Sequence, residues 1–150
     1  MIAQIKGKLI EKNPTDIIID CNGVGYEIKI SLNTYSSLSD SEAIKVYTKL
    51  IVREDAQILY GFYSKEEREM FNLLISVSGI GPNTAMIMLS SLIPSEVAHA
   101  IQSDDVATIQ SVKGIGAKTA QRVIIDLKGK VVGFSSCLLY TSPSPRDLLK

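Results

Sequence analysis

The stretch VSGIGPNTA, Val77 to Ala85, returns 35 residues later as VKGIGAKTA, Val112 to Ala120. In both copies two glycines flank one isoleucine and Thr-Ala follows. The pattern is open to three readings: a nucleotide-binding loop, a plain interhelical turn, or a repeated grip on phosphate. A dinucleotide fingerprint needs GxGxxG after a strand, but Thr84 and Thr119 stand where the third glycine belongs, and helix-type sequence precedes each turn. GIGAKT resembles the end of a phosphate loop. That loop requires glycine directly before Lys118 and again five residues earlier, where the chain has Ala117 and Val112. Two helix–hairpin–helix units remain. The same offset also matches Ser76 with Ser111 and Leu92 with Leu127, so the repeat covers a helix, a turn and a helix.

Glycine at both ends of such a turn permits positive φ and leaves no Cβ to hold a ligand away, so backbone N–H groups can approach a phosphate oxygen. Ile80 and Ile115 are expected to point inward and pin each turn. The start of the following helix adds unsatisfied donors and the positive end of the helix dipole. Pro82, at a first-turn position, is compatible with that. Lys118 and Arg122 stand one helical turn apart and add Coulomb attraction on one face. Contacts of this kind position a duplex without reading its bases.

Sixteen basic and sixteen acidic side chains cancel over 150 residues. Their distribution is uneven: residues 113–130 carry Lys113, Lys118, Arg122, Lys128 and Lys130 against Asp126 alone, whereas residues 63–112 carry two bases and six acids. The basic stretch reads either as a solvated helix face or as a footprint on nucleic acid. Hydrophobic residues make up 45% of the chain, enough for one ordinary core or two small ones. The first residues, MIAQIKGKLI, lack a secretory leader, and no apolar run approaches the roughly 20 residues of a membrane span, so a cytoplasmic protein is expected. Cys21 and Cys137 are far apart with no metal-ligand spacing, which predicts no metal, no disulfide and no cofactor.

Up to about Phe62 the pattern is five β-type runs, AQIKGKLIEK, DIIIDC, VGYEIKIS, EAIKVYTKLIV and AQILYGFY, with hairpin chemistry at Asn22-Gly23 and a turn at Asn13 to Asp16. Five strands with a short segment, SLNTYSSLSD, after the third fit an oligonucleotide-binding (OB) type barrel, a rhythm other small barrels share. From Ser64, an N-cap candidate, Met70, Phe71, Leu74 and Ile75 fall at helical spacing, and Ser95-Glu96 and Asp104-Asp105 look like further helix starts. An α+β chain is therefore expected, with a barrel over residues 1–63, a helical domain over 64–133 and an irregular tail over 134–150. His99, on the EVAHAI helix, reads as structural.

MIAQIKGKLIEK, GVGYEI (Gly23 to Ile28), VREDAQILYGF (Val52 to Phe62), GIGPNTA and GIGAKTAQR together closely resemble the RuvA family of Holliday-junction-binding subunits, over about residues 1–133. The resemblance implies a fourfold homotetramer forming a platform for a four-way DNA junction, with no catalytic residue of its own. It further implies a RuvB-type hexameric ATPase as motor and a RuvC-type resolvase as another partner. Carried over, DNA contacts fall at Gly79, Gly81, Gly114 and Gly116, with Asn83, Thr84, Lys118, Thr119 and Arg122 beside them, and Glu54 and Asp55 match the family's acidic pin. The family often has lysine at the positions of Asn83 and Ala117. Its linker and third, motor-docking domain are expected to be missing here, and LLYTSPSPRD resembles a cloning scar. Two rivals stand beside this reading: a base-excision enzyme, for which Asp126 is the candidate catalytic acid, and a protein-interaction module that binds no DNA.

Overall fold

The structure is a computed structural model and describes residues 1–39 and 43–131. The expected tail, with Cys137, lies outside the described residues. Two compact units form, one from Met1 to Glu69 with Leu89–Ser91, the other from Met70 to Met88 and from Leu92 onward.

The first unit is a closed five-stranded barrel. Strands β1 (Gln4–Lys12), β2 (Asp16–Cys21), β3 (Val24–Ile30), β4 (Ala43–Val52) and β5 (Gln57–Phe62) lie in the order β1-β2-β3-β5-β4. All neighbours are antiparallel except β3 and β5, which pair in parallel from Ile28 with Leu59 to Ile30 with Gly61 and so close the barrel. Alternation fills it: Ile17 and Ile19 of β2, Ile28 and Ile30 of β3, and Ile44 and Val46 of β4 are buried together. Asn22 (φ 53°) and Gly23 (φ 92°) both take left-handed backbone, the turn that matches strand twist, and the Gly23 amide donates to Asp20 Oδ1 at 2.8 Å. Strand β1 bends to pair with both β2 and β4. Its register with β2 slips between Leu9 and Glu11, and a Cβ at Gly7 would run into the Asp20 carbonyl.

Helix α1 (Leu32–Ser37) follows β3, capped by Ser31 Oγ, which accepts from the Thr34 amide at 3.1 Å. Ser64 caps α2 (Lys65–Ile75) as expected, accepting from the Glu67 amide at 3.2 Å. The Glu67 carboxylate, read in the sequence only as a first-turn acid, is buried. It accepts from Ser31 Oγ at 2.6 Å and Thr34 Oγ1 at 2.5 Å, and Thr34 Oγ1 in turn accepts from the Tyr63 amide at 3.1 Å. Burial pushes this carboxyl above the usual range, and the hydroxyl donors pull part of the way back. Ser90 Oγ accepts from the Leu32 amide at 2.9 Å.

The second unit is helical. After α2 come α3 (Pro82–Ser91), α4 (Pro94–Gln102), α5 (Val106–Gln110) and α6 (Ala117–Leu127). Of the stripe the spacing predicted, Met70, Phe71 and Leu74 are fully buried and Ile75 is half-buried. Helix α4 starts at Pro94, with Glu96 Oε1 accepting from the Ile93 amide at 2.9 Å. Helix α5 starts after Asp105, whose carboxylate accepts from the Thr108 amide at 3.2 Å and hydroxyl at 2.5 Å. These bonds hold the Asp105 carboxyl below its usual range. His99 is exposed on α4, whose buried stripe runs through Val97, Ala98, Ala100 and Ile101. Among the described residues no single helix is long and apolar enough to cross a membrane, and no group of three His, Cys, Asp or Glu side chains is placed to hold a metal ion.

Candidate nucleic-acid interface

The two glycine turns have the same hydrogen bonds. In the first, between α2 and α3, the Val77 amide donates to Leu74 O at 3.1 Å, Ile80 to Val77 O at 3.1 Å and Ala85 to Gly81 O at 3.0 Å. In the second, between α5 and α6, Val112 donates to Ile109 O at 3.2 Å, Ile115 to Val112 O at 3.2 Å and Ala120 to Gly116 O at 3.0 Å. Ile80 and Ile115 are each 5% exposed and pin the turns inward.

The two glycines of each turn do different work. Gly79 (φ 95°) and Gly114 (φ 90°) hold the left-handed conformation. Gly81 (φ −91°) and Gly116 (φ −88°) are extended N-caps that any residue could adopt, so the expectation of positive φ at both ends is corrected here. What they supply is space: a Cβ built at Gly81, Gly114 or Gly116 meets nothing within 4 Å. The first amides of α3 (Asn83 and Thr84, since Pro82 has none) and of α6 (Ala117, Lys118 and Thr119) precede the first intrahelical bond and face outward at the positive helix end.

The turns lie side by side. A Cβ at Gly79 would sit 3.7 Å from Thr119 Oγ1, so the first turn abuts the first turn of α6. A groove of about 530 Å³ opens there, lined by Ser78 and by Lys118, Thr119, Gln121, Arg122, Ile125 and Asp126. Of the residues expected to bind, the groove brings together Lys118, Thr119 and Arg122. Asn83 is exposed and Thr84 half-buried on α3, and Gly114 and Gly116 are exposed at the second turn. Ser78, Gln121 and the 77%-exposed Ile125 were missed. Gln121 and Ile125 were findable, standing three and seven residues beyond Lys118 on one helical face.

The basic stretch is less free than its composition suggests. Arg122 Nε lies 3.8 Å from Asp126 Oδ2, and Lys128 Nζ lies 2.6 Å from Asp104 Oδ2. The repeat is also electrically lopsided: where the second hairpin has Lys113, Lys118 and Arg122, the first has Ser78, Asn83 and Ile87. In the barrel unit, Glu54 and Asp55 are exposed at the β4–β5 turn, which the Arg53 amide closes onto Ala56 O at 2.7 Å.

Comparison with known proteins matches the two parts of the chain separately. Residues 1–61 match the RuvA N terminal domain, and residues 71–129 match the SAM-like helix-hairpin-helix tandem. A protein of Christiangramia forsetii named Holliday junction branch migration complex subunit RuvA is 67% identical over 132 residues, covering 88% of this chain and 68% of that protein. The chain belongs to the RuvA family. RuvA proteins of Flavobacterium psychrophilum (61% over 132 residues, 88% of this chain and 68% of theirs) and Bacteroides thetaiotaomicron (49% over 150 residues, 100% and 75%) bear the same name. The α+β architecture expected from the sequence, an OB-type barrel followed by tandem helix–hairpin–helix units, is thus the RuvA arrangement.

Proposed function

We propose that this chain is the DNA-recognising subunit of a branch-migration assembly, holding four-way (Holliday) junctions in recombination and repair by phosphate contacts that read no bases. The observation that carries the proposal is the pair of matched glycine turns set against one another, with Lys118 and Arg122 lining the groove where the first turn meets α6. Amides and helix ends attract an anion without preferring a sequence, and phosphate contacts fix register rather than identity. The contacting residues are Gly79, Gly81, Asn83, Thr84, Gly114, Gly116, Lys118, Thr119 and Arg122. Glu54 and Asp55 act as a pin that repels phosphates at the crossover.

The division is a barrel over 1–63 and a DNA-gripping domain over 64–133. The assembly is a cytoplasmic homotetramer that does no chemistry itself and is driven by a RuvB-type hexameric ATPase, with a RuvC-type resolvase as a further partner. The ion pair between Asp126 and Arg122 on the surface of α6 supports a non-catalytic role, because it leaves no buried acid in the groove for base excision. The test is a gel shift comparing a four-way junction with linear duplex of the same arm sequence. Tighter, salt-sensitive retention of the junction is expected, and equal affinity for both would overturn the proposal.

A further inference from the structure

The barrel carries a second concentration of positive charge that the hairpins do not explain. Lys6 of β1 stands directly opposite Lys45 of β4, with Lys8 next along the same outward face of β1. Like charges directly opposite one another oppose strand pairing. One step further Gln4 faces Tyr47, and three cations gather on the Tyr47 ring: Lys45 Nζ at 5.1 Å from its centre, Arg68 Cζ at 5.5 Å and Lys65 Nζ at 5.7 Å. Arg68 is held in place by donating to Ala3 O at 2.6 Å. Among the described residues none of these five cations has an acidic partner within ion-pair distance. Asp20, opposite Lys8, is turned to the Gly23 amide, and Glu66 and Glu69 on α2 are exposed.

We infer that this β1–β4 face, centred on Tyr47, is a second binding surface for the phosphate backbone of nucleic acid, separate from the glycine turns. A polyanion removes the like-charge cost that folding leaves between Lys6 and Lys45. Same-face lysines on a strand repeat at roughly 7 Å, so successive phosphates can be met by a row of charges rather than one point. The Tyr47 ring is already engaged by cations, so the contact is to phosphate and not to a stacked base, and it is indifferent to sequence. Several of the described acids already serve locally and are not available to this face. Asp104 pairs with Lys128, Asp126 with Arg122 and Asp16 with Lys29, while Glu96 and Asp105 cap helices.

The experiment titrates duplex and four-way junction DNA with the full chain at several salt concentrations. It compares Lys6→Gln with Lys45→Gln, the charge-keeping pair Lys6→Arg with Lys45→Arg, and Lys118→Ala with Arg122→Ala, alongside melting temperature and sedimentation mass. Neutralising two fewer phosphates should lower the slope of log K against log salt by about 1.8 and weaken binding by at least about tenfold at 0.1 M salt, while the arginine pair keeps both. An unchanged slope in a normally melting glutamine pair overturns the inference. So does a glutamine pair that falls apart into smaller assemblies, since the face would then join copies of the chain. If the hairpin pair leaves the slope unchanged and the barrel pair lowers it, the hairpin reading fails while this surface stands.

Discussion

Replacing Glu67 by alanine should destabilise the chain by about 3 kcal/mol. The carboxylate is 1% exposed and takes two short hydroxyl donations, from Ser31 and Thr34. Both hydroxyls also accept backbone amides, of Thr34 and Tyr63, so their protons have no other direction to turn. Stranding each costs about 1 kcal/mol, and the space left by the side chain costs about 1 more. Relief of a buried charge works against this sum and keeps it at the lower end of what a broken buried network costs. For a chain of this length 3 kcal/mol corresponds to a fall in melting temperature of roughly 6–12 °C. Glu67→Gln keeps the shape and one acceptor and should cost about 1 kcal/mol. Tyrosine fluorescence during urea unfolding is a suitable assay, because the chain has six tyrosines and no tryptophan. An alanine variant within about 0.5 kcal/mol of the parent would refute the reasoning, since it would mean the hydroxyls find other acceptors at no cost.

The pH dependence of the same site has a definite sign. Glu67 has a raised folded pKa, so its contribution is fully present below the unfolded value of 4.5 and is lost as pH rises through the folded one; Glu67→Gln should therefore gain on the parent as pH rises across that window, and paired melts check it. Lys118→Ala should reduce the salt slope of junction binding by about 0.9 for each phosphate it no longer neutralises, which a salt titration reads; an unchanged slope would remove Lys118 from the interface. Asn83→Lys restores to the first hairpin the cation its repeat partner has, and should steepen the slope by a similar amount. Glu54→Gln with Asp55→Asn should bind junctions at least as tightly while losing part of the preference over linear duplex, measured as the ratio of the two Kd values at fixed salt.

Much of this architecture was legible because it rests on local chemistry. Asn22-Gly23 admits the left-handed turn the hairpin needs, Ser64 can only help as a cap, and the offset between Gly79 and Gly114 exposes the repeat without any tertiary information. What stayed hidden depends on partners distant in sequence. Glu67 looks like any first-turn acid until α1, more than thirty residues earlier, brings Ser31 and Thr34 onto it. The charge count over 113–130 gave a strong basic stretch, but Asp104 reaches Lys128 from the α4–α5 corner, and that ion pair has no local signature.

Strand β5 is made last yet sits between β3 and β4. During synthesis, β4, β1, β2 and β3 can form a four-stranded sheet, but one edge of β3 and one edge of β4 stay open until Gln57–Phe62 leaves the ribosome. Those edges carry Ile28 and Ile30 on one side and Leu50 and Ile51 on the other, which makes them templates for pairing with another nascent chain. Insertion of one six-residue segment then satisfies both at once, in parallel on β3 and antiparallel on β4. Ribosome stalling or cleavage just upstream of Gln57 would thus release an aggregation-prone sheet, whereas the same event a few residues beyond Phe62 would release a sealed barrel.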